Sequence, residues 1–270
     1  MSRIDVKKTY KLFINGAFPR SESGRVYEVK DAKGTFIANP ALASRKDLRD
    51  SVSAARSAFG KWSSSTAYLR GQILYRIAEM LEGRKAQFEN ELKAIGDKTK
   101  ISDAIDLIVW YAGWSDKLST LSGVTNPVSG PFYNFTTPEA LGVVGVLSKA
   151  NFLEFIDAMA SVIVSGNTLV IVAPDSQAIP AMSFAEVLAT SDLPAGVVNI
   201  LTGKTEELAN WMASHMDIDG MDATGAKKIG ELKVAGAENL KRIHAFSKVK
   251  DPARILAFME SKTVWHTVGI

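Results

Sequence analysis

One stretch in the middle of the chain, residues 141–175 (LGVVGVLSKANFLEFIDAMASVIVSGNTLVIVAPD), constrains the fold more than any other. Residues 142–147 form a short apolar run of the kind a strand buried on both faces requires. Phe152, Phe155, Ile156, Met159 and Ile163 then recur at helical spacing and make one apolar stripe. Gly166 and Asn167 end that helix, and residues 168–173 form a second apolar, β-branched strand before Pro174. Strand, crossover helix and buried strand are the parts of a right-handed parallel βαβ unit. Ligands of such sheets sit off the carboxyl ends of the strands, here at residues 148–151 and 174–177.

The alternation continues downstream. Strands are expected at 142–147, 168–173, 197–201, 218–223 and 240–246, and helices near 152–165, 179–190, 205–215 and 226–235. Pro180 suits a first helical turn, and Thr205 followed by Glu207 and Leu208 suits a helix start. The fold class is therefore α/β, an open, doubly wound parallel sheet of Rossmann-like type. Upstream, residues 10–38 read as a small β region, with strands at 10–14, 26–29 and 35–38 and a turn at Asn15-Gly16. From Arg45 to about Leu121 the periodicity is helical, with successive stripes at Val52/Ala55/Phe59/Trp62, Ile73/Leu74/Ile77/Leu81, Phe88/Leu92/Ile95 and Ile101/Ala104/Ile105/Ile108. Residues 122–137 (SGVTNPVSGPFYNFTT) are rich in turn formers and become β-like at Phe132, as a surface hairpin or connecting arm would.

Composition narrows the function. The net charge is +3, and no Lys/Arg run is long enough to track phosphates, so no nucleic-acid partner is expected. No apolar stretch reaches the length of a membrane span. The segment MSRIDVKKTYKLF lacks the apolar core of a signal peptide, so a cytoplasmic location is expected. The chain has no cysteine, which excludes disulfides, thiolate zinc sites and thiol catalysis by its own residues. His215, His244 and His266 are too scattered to suggest a metal site.

No GxSxG, HExxH or GxGxxG is present. The nearest thing to a phosphate loop is residues 223–230, ATGAKKIG, placed after a strand and before a helix. It is not a Walker loop, because Glu231 stands where the lysine would be. Two readings stay open: a nucleotide site, or a tight strand-to-helix turn that needs its two glycines.

Six segments, in order and spacing, resemble the aldehyde dehydrogenase superfamily: YAGWSDK (111–117), GVVGVLSKANF (142–152), SGNTLVIVAPD (165–175), LPAGVVNILTG (193–203), ATGAKKIG (223–230) and NLKRI (239–243). The resemblance covers residues 10–243. It implies an NAD(P)-binding-type domain over 1–121 and 141–250, with an oligomerisation arm at 122–140. Residues 256–269, LAFMESKTVWHTVG, resemble the family's C-terminal tail, so 251–270 would belong with the arm and no catalytic domain would lie between. Cofactor contacts carried over from the family fall on Ser148, Lys149, Asp175, Gly203, Thr224, Gly225 and Gly230.

The departures from the family pattern are specific. Asn151 matches the oxyanion-hole asparagine, but the prolines and tryptophan of that loop have become Lys149, Ala150 and Leu153. Val172 replaces the lysine, and Asp175 the glutamate, that contact the adenosine ribose; Ala226 replaces the serine that meets the pyrophosphate. Phe246 stands at the general-base glutamate. A hydrogen bond to a charged group contributes roughly 1.5–3 kcal/mol, so the lost lysine alone weakens NAD(P) binding about 10- to 100-fold. With neither thiol nor base, no catalytic residue is assigned. The expectation is a non-catalytic aldehyde dehydrogenase-like subunit, structural or regulatory, partnering a full-length aldehyde dehydrogenase paralogue, itself, or both. The alternative is an NAD(P)-binding module contributing to aldehyde oxidation in trans, in which case activity would be that of an NAD(P)-dependent oxidoreductase within a complex.

Overall fold

The computed structural model describes residues 6–269. A short hairpin of β1 (Val29–Lys30) and β2 (Phe36–Ala38) precedes five helices: α1 (Arg45–Ser63), α2 (Ala67–Glu82), α3 (Lys85–Ile95), α4 (Ile101–Ala112) and α5 (Leu118–Ser122). α1 opens on a reciprocal capping box between Ser44 and Asp47, and α3 ends at Gly96 in the left-handed conformation. β3 (Val124–Asn126) and β4 (Phe132–Ala140) follow. The remainder alternates: β5 (Val143–Leu147), α6 (Phe152–Val164), β6 (Thr168–Pro174), a 3-10 turn at Asp175–Gln177, α7 (Ala178–Ala189), β7 (Val198–Gly203), α8 (Thr205–Ser214), β8 (Gly220–Asp222), α9 (Ile229–Ala235), β9 (Arg242–His244), α10 (Pro252–Leu256) and β10 (Met259–Thr267).

The main sheet is wholly parallel in the order β7-β6-β5-β8-β9. Strand alternation sends Val144 and Val146 into one core, against α2, α4, α6 and α7. Val143 and Leu147 enter the other, beneath α1, α8 and α9. Both faces are thus buried, as the unbroken apolar runs require. Among the described residues no helix is long and apolar enough to cross a membrane.

The expected elements shift at a few ends. Residues 10–14 form no strand. Asn15 and Gly16 both take positive φ and fold the chain back, leaving Phe13 one antiparallel bridge to Ile200 on the outer edge of β7. Val26 likewise makes only a bridge, to Ala41. α9 starts at Ile229 rather than 226, because the Ala226 N–H bonds the Ala223 carbonyl in a turn and Lys228 is not helical. β9 starts after Leu240, whose φ of 54° interrupts an extended chain.

The second sheet is antiparallel, in the order β10-β4-β3. Here β10 runs along β4 in unbroken register from Met259↔Ala140 to Thr267↔Phe132. This pairing lies within one chain.

Candidate functional site

The loop after β5 leads directly into the start of α6. Asn151 is the N-cap, its side-chain oxygen accepting from the Glu154 N–H at 3.1 Å. Its amide nitrogen faces Asp97 Oδ1 (3.4 Å) and Thr99 Oγ1 (3.2 Å). The other Asp97 oxygen accepts from the Phe152 N–H (2.8 Å) and from Gln177 Nε2 (2.9 Å). A carboxylate from the α3–α4 loop therefore already occupies the positive end of α6. Ser148 is buried, its hydroxyl donating to the Lys149 carbonyl at 3.1 Å. Lys149 pairs with Glu154 at 3.0 Å.

The turn after β8 faces this loop. The Thr224 N–H donates to Asp222 Oδ1 (3.0 Å), the Gly225 N–H to the Leu147 carbonyl (2.8 Å), and the Ala226 N–H to the Ala223 carbonyl (2.9 Å). The Thr224 hydroxyl donates to Asp222 and accepts from the Phe246 N–H at 2.9 Å. All the donors of residues 224–226 are committed inside the protein, leaving none directed at a phosphate. A Cβ on Gly225 would overlap the Ser148 carbonyl. The glycine is therefore required for loop-on-loop packing. Gly230 has no heavy atom within 4 Å of such a Cβ, and lies exposed in the first turn of α9. Lys227 and Lys228 are surface ion-pair partners of Glu206 (2.6 Å) and Glu231 (2.9 Å).

The reason for the inward turn is a buried charge cluster. Arg254, on α10, is 1% exposed, while Asp157 on α6 and Asp222 at the end of β8 are both 0%. Its guanidinium bonds Asp222 through Nε (3.0 Å) and Nη2 (2.6 Å), and Asp157 through Nη1. Asp157 also accepts from the Tyr111 hydroxyl (2.8 Å) and the Lys250 N–H (2.9 Å). Burial pushes the Asp157 carboxyl up despite the opposing pull of Arg254. Burial, and then the neighbouring Asp157 charge, push the Tyr111 phenol up. The Phe246 ring lies 5.0 Å from the Arg254 guanidinium and packs against His244 and Phe258.

Ser148, Lys149, Thr224 and Gly225 thus come together at the carboxyl ends of β5 and β8, whereas Asp175, Gly203 and Gly230 make no hydrogen bond to them among the described residues. Asp175 is exposed at the end of β6, its carbonyl accepting from the Tyr27 hydroxyl at 3.4 Å. Gly203, at φ 143°, lets Leu42 and Ala43 close over the end of β7. Val172 is fully buried on β6. No group of residues that could hold a metal ion occurs among the described residues. Surface cavities of about 350 Å³ (at Tyr10, Arg25 and Phe36) and 570 Å³ (at Arg45 and Trp211) lie away from the crevice.

The model of the aldehyde dehydrogenase family matches residues 18–268. The chain belongs to the aldehyde dehydrogenase family. Retinal dehydrogenase 2 of Mus musculus is 33% identical over 269 residues, covering 94% of this chain and 51% of that protein. Cytosolic 10-formyltetrahydrofolate dehydrogenase of Xenopus tropicalis is 30% identical over 261 residues, covering 90% of this chain and 29% of that protein. The NAD+ complex of aldehyde dehydrogenase from Bacillus cereus aligns with a TM-score of 0.79 at 26% identity, covering 87% of this chain and 50% of that one. The chain spans about half the length of retinal dehydrogenase 2. The Rossmann-like parallel sheet expected from the sequence is the fold of this aldehyde dehydrogenase family member.

Asp97, Asp157, Asp222 and Arg254 form the polar heart of the crevice and were not among the sequence candidates. Their signal was present. Asp157 interrupts FLEFIDAMASVIV and Arg254 interrupts PARILAF, and a charge inside an apolar run needs a partner.

Proposed function

We propose that this chain is a non-catalytic aldehyde dehydrogenase-like subunit, structural or regulatory, assembling with a full-length aldehyde dehydrogenase, with itself, or with both. The observation that carries this reading is the inward commitment of the crevice donors at residues 224–226. The Asn151 amide is likewise engaged by Asp97 and Thr99, so it is not free to meet an oxyanion. Phe246 supplies packing where the family resemblance places a base, and the chain carries no thiol. The paired arm and tail strands give the assembly part of the proposal its surface.

NAD(P) affinity is correspondingly weak in this proposal. Calorimetry of the full chain with NAD and NADP is expected to show no binding tighter than about 1 mM, an energy near 4 kcal/mol. Micromolar binding of either nucleotide would sink the weakened-cofactor part. Co-expression with a full-length paralogue is expected to give a complex that survives purification. Repeated failure to co-purify, with a monomeric chain alone, would remove the subunit reading.

A second reading keeps the chain as an NAD(P)-binding module acting in trans. It is favoured by the similarity to the Bacillus cereus NAD+ complex and by the exposed Asp175 at the ribose position of the family resemblance. Unchanged kinetic constants of the partner on mixing would exclude it.

A further inference from the structure

The helices α1 and α8 leave between them a surface cavity of about 570 Å³, a size that takes a small organic ligand. Arg45 and Arg49 stand one turn apart on α1, and Trp211 and His215 one turn apart along α8 and its C-cap. All four line the cavity, together with Lys46 and Glu22. The site is built from side chains, since Asp47 already holds the end of α1 through its reciprocal cap with Ser44.

The charges around it are unevenly answered. Lys46 meets Glu22 at 3.5 Å, and Glu22 also accepts from the Ser44 hydroxyl at 3.2 Å. Arg49 is held by its neighbour Asp50 at 2.9 Å. Arg45 has no carboxylate partner among the described residues, and its guanidinium carbon lies over the exposed Trp211 ring at 3.7 Å from the centroid. The ring steadies the cation while the guanidinium keeps its fork of N–H donors. His215 adds a donor from the facing helix. Its Nδ1 accepts from the Asp217 N–H at 3.2 Å, so the ring proton sits on Nε2, which has no partner among the described residues. Burial holds the imidazole pKa down, Asp217 pulls it up, and Lys241 and Arg45 push it down again.

We propose that this cavity binds a small phosphate monoester, its oxygens taken by the Arg45 fork and by His215 Nε2. A bidentate guanidinium uses both oxygens of a carboxylate, whereas a phosphate keeps a third for the donor on the facing helix. The charge agrees with this choice. With Lys46 and Arg49 already answered, Arg45 supplies one positive charge, and a protonated His215 supplies the second that a dianion needs. The rest of the volume takes the organic group of the ester beside Trp211. None of these residues belongs to the crevice, so the site stands whether or not NAD(P) or a partner subunit binds.

Calorimetry of the full chain at neutral pH and roughly 0.15 M salt tests this, with phenyl phosphate, inorganic phosphate and benzoate as ligands. Phenyl phosphate is expected to bind at about 0.1–1 mM. Inorganic phosphate should bind more weakly, since it leaves most of the cavity unfilled, and benzoate at least about tenfold more weakly, since it lacks the third oxygen. Arg45→Gln removes the fork and should weaken phenyl phosphate about 10- to 100-fold. Arg20→Gln, in the separate basic cavity beside Tyr10, should leave its binding unchanged. In proton NMR of the wild-type chain, saturating phenyl phosphate should move the His215 titration midpoint upwards and leave those of His244 and His266 in place. No heat with phenyl phosphate up to about 10 mM, benzoate binding as tightly, inorganic phosphate binding more tightly, an equal loss on Arg20→Gln, or an unmoved His215 midpoint each overturns the proposal. If Arg45→Gln fails to fold, the wild-type His215 midpoint decides.

Discussion

At the scale of single residues, Arg254 determines how the crevice is built. One guanidinium faces two fully buried carboxylates, and Tyr111 and the Lys250 N–H stabilise the second negative charge. Arg254→Met strips both carboxylates of their cation and is expected to cost about 3–5 kcal/mol, measured by urea unfolding. Arg254→Lys should recover less than half, since an ammonium cannot reproduce the fork that reaches Asp157 and Asp222 together. The sequence shows each of these charges stranded in apolar surroundings but not which pairs with which, because the partners lie 97 and 32 residues apart. A second residue-scale prediction concerns pH. Burial holds the His215 imidazole below its ordinary 6.5, and its neutral Nδ1 accepts from the Asp217 N–H at 3.2 Å. The folded state therefore resists protonation. Its contribution is fully present above pH 6.5 and is lost as pH falls through that value and below. The urea midpoint should drop between pH 7.5 and 5, and His215→Gln should flatten that drop; an equally steep fall in the variant would assign it elsewhere.

At the scale of elements, the parallel alternation was legible because burial on both faces imposes unbroken apolar strands, and amphipathic helices keep their 3.6-residue period. Element ends were less legible. The start of α9 depends on the Ala223–Ala226 turn, and the failure of residues 10–14 to form a strand depends on how Asn15-Gly16 doubles back. The two glycines of residues 223–230 could not be told apart by pattern, since their roles depend on the approach of the Ser148 loop from β5. The structure separates them, and so do substitutions. Gly225→Ala should destabilise by about 1–3 kcal/mol through overlap with the Ser148 carbonyl. Gly230→Ala meets open space within a helix and should stabilise by roughly 0.5–1 kcal/mol. Thermal midpoints moving in the same direction would contradict this assignment.

At the scale of the whole molecule, the parallel sheet has a complete core on each face, and the segment after β9 is fastened into it rather than appended. Ile255 and Phe258 are fully buried, the Phe258 carbonyl accepts from Asn167 Nδ2 at 2.7 Å, and Arg254 reaches both the sheet and α6. The tail is thus two physical units. Residues up to Phe258 belong to the core, while β10 makes a ladder with β4 that projects outward and leaves Trp265 in solvent. Sequence resemblance alone groups both units with the arm, because the buried contacts of α10 are set by tertiary pairing. Truncations distinguish them. Removing residues 259–270 deletes the β4 ladder but spares Arg254, and should leave a folded chain with a modest fall in thermal midpoint. Removing 251–270 in addition leaves Asp157 and Asp222 buried without a cation, a penalty of about 3–5 kcal/mol before any lost apolar burial, comparable to the whole stability of many domains. Its far-UV circular dichroism and proteolysis pattern should be those of a largely unfolded chain at 25 °C. A cooperative unfolding transition matching that of the shorter truncation would show that Arg254 is dispensable to the core.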